Sequence, residues 1–210
     1  MPNILIISAT NDNNLELSNK LQAFLSELQV ESKVVSLENL DLPLFGGKTD
    51  VEDSIIKDFV RDLSMAKGLI FCAPEYNGGV PPVLSNAITW VTVKTPEWRH
   101  AFSGKFALIA TSSGGQGNRF LTAFRSQLEH LGVNVLARTI SHQQEKPLKE
   151  DSVKKILQGL IGITGDYYYN ILMYFNFIHL LLYFFCFRNI NLKCTIFVLS
   201  ANFLRKYIIW

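Results

Sequence analysis

The stretch GLIFCAPEYNGGVPPVLSNAITW, Gly68 to Trp90, decides the fold. Its first five residues are an apolar run too short for a helix. Such a run is hydrophobic on both faces, as a strand in a parallel sheet covered on both sides must be. The chain then leaves through Pro74, Glu75, Tyr76, Asn77, Gly78 and Gly79, and re-enters regular structure on Pro81-Pro82. A proline in a helix's first turn costs no hydrogen bond, because those N–H groups have no intrahelical partner. Pro82 to Val91 therefore reads as a helix, with Val83, Leu84, Ala87, Ile88 and Val91 on one side.

The same strand-then-helix order extends in both directions. Upstream, Ile4-Leu5-Ile6-Ile7 is a first strand, and Asn14 to Gln29 is a helix through Leu17, Leu21, Phe24, Leu25 and Leu28, with Asn13 or Asn14 as its N-cap. Val34 to Leu37 is a second strand, and Ile55, Ile56, Phe59, Val60 and Leu63 mark a second helix. Downstream come a strand at Phe106 to Ala110, a helix from Gly117 to Leu131, a fifth strand at Val133 to Ala137 and a last helix at Val153 to Leu160. Five strands alternating with helices imply an open parallel sheet with helices on both faces. Ligands of such sheets sit beyond the carboxyl ends of the strands, where strand order reverses.

Three loops occupy that edge. After the first strand come Ser8-Ala9-Thr10-Asn11-Asp12-Asn13-Asn14, short polar side chains leading into a helix N-terminus. Free N–H groups and the helix dipole favour a phosphate there, although a plain capped turn uses the same residues. After the third strand, Glu75, Tyr76 and Asn77 offer backbone and aromatic surface to a flat ring. After the fourth, Thr111-Ser112-Ser113-Gly114-Gly115-Gln116-Gly117 permits close backbone approach and supplies N–H donors.

Other chemistry is disfavoured. The fourth-strand loop has Phe120 where a dinucleotide fingerprint needs its third glycine, and Gly47-Lys48-Thr49 copies only the end of a P-loop. Cys72 lies inside an apolar strand, and His100, His130 and His142 stand singly. The three cysteines form no disulfide framework, so a reducing, cytoplasmic setting is expected. With 20 Lys and Arg against 18 Asp and Glu, no basic footprint points to nucleic acid.

From Asp166 the composition changes. Tyr167 to Phe187 holds no formally charged residue and is long enough for a transmembrane helix, yet Asn176 and His179 interrupt it. A membrane anchor, an aberrant extension, and added core or dimer surface remain open for residues 166–210. Membrane contact is expected only through that tail, and residues 1–165 are expected to be the working domain.

Pro74-Glu75-Tyr76-Asn77, followed by Pro81-Pro82-Val83-Leu84-Ser85-Asn86-Ala87-Ile88 and by the IATSSGGQG segment, resembles the NADPH-dependent FMN reductase family. The resemblance covers about Asn3 to Leu160. It implies a flavodoxin-like three-layer α/β sandwich with a five-stranded parallel sheet in the order 2-1-3-4-5, and an enzyme passing hydride from NADPH or NADH through FMN to a quinone, flavin or similar small acceptor. A homodimer or homotetramer is expected. By position it assigns Ser8, Thr10, Asn13 and Asn14 to the FMN phosphate, Pro74, Glu75, Tyr76, Asn77 and Gly78 to the isoalloxazine ring, and Ser112, Ser113, Gly114, Gly115 and Gly117 to the ring's other edge. It implies no catalytic side chain. Family members often carry an Arg in the first loop, where this chain has Asn11 and Asp12. The alternative is a flavodoxin-type electron carrier that holds FMN without a productive NAD(P)H site.

Overall fold

The computed structural model describes residues 3–46, 53–96, 98–143 and 146–165. Gly47-Lys48-Thr49 and the 166–210 tail lie outside them. In order, the elements are β1 (Ile4–Ser8), α1 (Asn13–Glu27), β2 (Ser32–Ser36), α2 (Asp53–Met65), β3 (Gly68–Cys72), α3 (Pro82–Lys94), α4 (Arg99–Phe102), β4 (Phe106–Ser113), α5 (Asn118–His130), β5 (Asn134–Val135), β6 (Ile140–Gln143) and α6 (Glu150–Thr164). Every pairing is parallel, in the order β2-β1-β3-β4-β5. The expected topology is present.

Strand side chains alternate between two cores, because successive Cβ atoms point to opposite faces. Leu5, Ile7, Leu69, Phe71, Ala107 and Ile109 pack with α2, α3, α4 and α5, where Phe124 stacks on Phe120 (5.5 Å) and meets Phe71 edge-on (5.2 Å). Ile4, Ile6, Ile70, Cys72, Leu108 and Ala110 pack with α1 and α6. Both faces being covered accounts for the unbroken apolar runs of β1 and β3.

The fifth position departs from the expectation of one strand at Val133 to Ala137. β5 is only Asn134–Val135, paired with Phe106 and Ala107, while β6 pairs with Ala110 to Ser113 on the same side of β4. Where the strand ends, the Arg125 guanidinium on α5 donates to the carbonyls of Val135 (3.2 Å) and Leu136 (2.6 Å), taking up two acceptors that a longer strand would offer to a neighbour. β6 in turn extends β4 through Thr111, Ser112 and Ser113, which the sequence places in a loop. Among the described residues no helix is long and apolar enough to cross a membrane.

Candidate functional site

Register brings the three loops to one edge. Ser8 lies beside Cys72 and Cys72 beside Ala110, and two further bonds, Ala9 N–H to Cys72 C=O (2.8 Å) and Ala73 N–H to Ala110 C=O (3.1 Å), carry the alignment past the strand ends.

In the first loop, Ser8 and Thr10 are buried, and the Ser8 hydroxyl donates to the Thr10 carbonyl at 2.7 Å. Asn14 does not cap α1. It is buried in the first turn, where its amide donates to the Ser112 carbonyl (3.0 Å) and accepts from the Ser112 N–H (2.9 Å). The N-cap is Asp12, with no side-chain capping bond, and the first intrahelical bond runs from Glu16 N–H to Asp12 C=O. The N–H groups of Asn13, Asn14 and Leu15 precede it and so lack helical acceptors.

The ring-side loop is held from both sides. Asn77 and Gly78 have φ of 52° and 73°, the two positive values a type I′ turn needs, and Tyr76 and Gly79 close it with Gly79 N–H to Tyr76 C=O at 2.9 Å. Tyr76 is half exposed, whereas Pro74 is buried. Glu75 accepts the N–H groups of Arg119 (2.9 Å) and Phe120 (3.0 Å) through one carboxylate oxygen, and its own N–H donates to the Ser113 hydroxyl (2.9 Å). It caps α5 from outside that helix and ties the third-strand loop to the fourth.

In the fourth-strand loop Gly117, at φ 64°, is required: a Cβ there would stand 2.8 Å from Thr111 Cγ2. Gly114 and Gly115 are exposed, and a Cβ on either would meet nothing within 4 Å. The loop is pinned at Gln116, whose carbonyl accepts from Ser141 at 2.8 Å.

The sequence-predicted residues thus divide by what their atoms do. Ser8, Thr10, Asn14, Pro74, Glu75, Ser112, Ser113 and Gly117 hold the loops in register, Gly78, half-buried, shapes the turn, and Asn13, Tyr76, Asn77, Gly114 and Gly115 present the exposed surface. Sequence reasoning missed several contributors. Asn86 accepts the Phe45 N–H (2.8 Å) and donates to Leu42 and Pro43, fastening the loop after β2 to α3. His142 Nδ1 lies 3.2 Å from the Ser112 hydroxyl. Glu38 accepts the Asn11 N–H at 2.6 Å.

Charge and backbone point in different directions at the first loop. Asp12, Glu16 and Glu38 surround it, and Lys20, bonded to Glu16 at 2.7 Å, holds that carboxyl below its ordinary range. Residues 9–14 include no cation, so a phosphate there would rest on peptide dipoles. Uncapped N–H groups at α1 and open backbone at Gly114-Gly115 fit a phosphate-bearing, flat-ringed group such as FMN. Cys72 is no nucleophile, since burial pushes its thiol up to about 12.

Comparison with known proteins identifies the family. Residues 2–146 match the family described as NADPH-dependent FMN reductase, and the chain belongs to that family. An NADPH azoreductase of Bacillus sp. (strain OY1-2) is 25% identical over 130 residues, 59% of this chain and 70% of that one. A protein named NADH-dependent flavin reductase subunit 2, from Lactobacillus johnsonii, is 26% identical over 142 residues, 65% of this chain and 66% of its own. Among solved structures, the flavoenzyme NAD(P)H:(acceptor) oxidoreductase FerB of Paracoccus denitrificans superposes with a TM-score of 0.61 at 19% identity, covering 79% of this chain and 96% of that one.

Proposed function

We propose that this chain is an FMN-dependent NAD(P)H oxidoreductase acting on a quinone, a flavin or a similar small acceptor. The observation that carries the reading is the convergence of three donor-rich loops at the carboxyl edge of β1, β3 and β4, in a member of this family. Bound FMN would supply the redox chemistry, accepting hydride from the nicotinamide and passing electrons to the acceptor.

The protein's part is binding and orientation. The first-turn N–H groups of α1 hold the phosphate, with Thr10 and Asn13 beside it. Tyr76 and the Asn77-Gly78 turn form one wall for the ring, and the Gly114-Gly115 backbone forms the other. Backbone N–H groups of the Gly114-Gly115 segment would be available to stabilise negative charge on a reduced ring, as preorganised donors do at other anionic sites. No side chain is required to move a proton. A homodimer or homotetramer and a cytoplasmic setting belong to the same proposal, and light scattering tests the assembly.

The test is steady-state NAD(P)H oxidation by FMN-reconstituted protein with a quinone acceptor, beside an FMN fluorescence titration. Quenching together with turnover is expected. Quenching without NAD(P)H oxidation would make the protein an electron carrier, and no quenching at all would remove the flavin reading.

A further inference from the structure

Beside the three loops, between β6 and the first turn of α6, opens a cleft of about 330 Å³ that shares Gln116 and Asn118 with the fourth-strand loop. Its rim carries Arg138, Lys146 and Lys149, its floor is Ile140, Leu148, Val153 and Ile156, and no acidic residue among the described ones lines it. Among the described residues Arg138 donates to a neutral partner, the Ser152 hydroxyl at 3.0 Å. Neither it nor Lys146 nor Lys149 pairs with a carboxylate among the described residues. Lys146 is fixed to the end of β6 by its N–H bond to Gln143 C=O (3.0 Å).

Three like charges on exposed side chains around one hollow raise a positive potential that favours an anion among them. The α6 N-terminus adds to this, because Lys149 is its N-cap and no side chain caps it. Among the described residues the nearest acids are accounted for. Glu150 and Asp151 follow on α6 but are exposed and outside the lining, and Glu16, which senses His142, is paired with Lys20. The apolar floor accepts an organic body and the rim accepts its charge. The volume suits a small ligand.

We propose that this cleft is a second binding site, separate from the flavin loops, for the phosphate monoester of a small organic molecule held by Arg138, Lys146 and Lys149. Two sources share that chemistry: the 2′-phosphate that distinguishes NADPH from NADH, and a free phosphorylated metabolite. The first rests on the reductase reading given above; the second does not.

Calorimetry with 5′-AMP on the full-length protein tests the site without turnover. Binding is expected to weaken roughly fivefold for each charge removed in Arg138→Gln, Lys146→Gln and Lys149→Gln, and to weaken in 1 M salt. FMN quenching should be unchanged in all three, which separates this site from the flavin loops. NADP+ against NAD+ identifies the source. A preference for NADP+ that the variants erase assigns the dinucleotide, and 5′-AMP binding with no such preference assigns a separate metabolite. The proposal is overturned if 5′-AMP does not bind, if the variants bind it as tightly as the wild type, or if they weaken FMN equally.

Discussion

Replacing Glu75 by Ala tests whether the family's PEYN glutamate acts through α5 or touches the ligand itself. Its carboxylate accepts two N–H groups at 2.9 and 3.0 Å on the first turn of that helix, whose own N-cap, Gly117, offers no side-chain acceptor. Loss of a cap costs about 1 kcal/mol, and loss of a negative charge at a helix N-terminus adds about 0.3–1 kcal/mol. Because the Phe120 N–H is part-buried and water replaces its acceptor poorly, the total comes to about 2 kcal/mol. At about 2–4 °C per kcal/mol for a domain of this size, the midpoint should fall by about 4–8 °C. Glu75→Gln keeps an acceptor without the charge and should lose about half as much. Urea denaturation of the flavin-free protein measures the stability, and FMN fluorescence quenching measures the cradle. Weakened quenching in step with lost stability is expected, since the loop and α5 separate together. An Ala variant of wild-type stability that binds FMN poorly would refute the reasoning and place the carboxylate on the ligand.

Three further outcomes are expected. Gly117→Ala should cost about 2–4 kcal/mol in denaturant melts, combining left-handed strain with the Thr111 clash, and Thr111→Ser should restore part of it by removing the Cγ2 methyl 2.8 Å away. Cys72 should resist iodoacetamide at pH 8 in the folded protein and react on unfolding. Its thiol is raised from 9.0 to about 12, so the stability it contributes is complete below pH 9 and is lost as the pH climbs toward 12, where a melting series reads it. A chain ending at Gly165, where α6 stops on a left-handed C-cap, should retain FMN quenching with improved solubility; loss of both cooperative melting and quenching would show residues 166–210 to be needed for folding.

The parts legible in the sequence are those that local pattern controls. Apolar runs announced β1 and β3, three- and four-residue spacing announced the long helices, and Pro81-Pro82 marked the start of α3. β6 was not legible, because only Ile140 of its four residues is buried and ISHQ has no alternating pattern. Without that partner the end of β4 read as loop. At the site, small polar residues and glycines marked the right loops but not the duty of each atom. Asn14 read as a cap because its partner, Ser112, stands 98 residues away, and Glu75 read as a ligand contact because Arg119 and Phe120 lie 44 and 45 residues on. Such bonds exist only after the sheet has assembled, so no local pattern announces them. The charges of the β6–α6 cleft are likewise scattered as Arg138, Lys146 and Lys149.

The two bonds between Asn14 and Ser112 also bear on when the cradle comes into being. A nascent chain that has already formed β1 and α1 still lacks it, since Ser112 must first be synthesised and β4 docked against β3. Closing so long a loop carries an entropic cost that the assembled sheet must offset. Flavin capture is then thermodynamically linked to completion of the whole sheet, and a bound cofactor lowers the population of every partly open form by RT ln(1 + [L]/Kd). Cofactor supply would then influence how much of the chain is open to proteases, and a shortage of flavin would lower the amount of protein as well as its turnover.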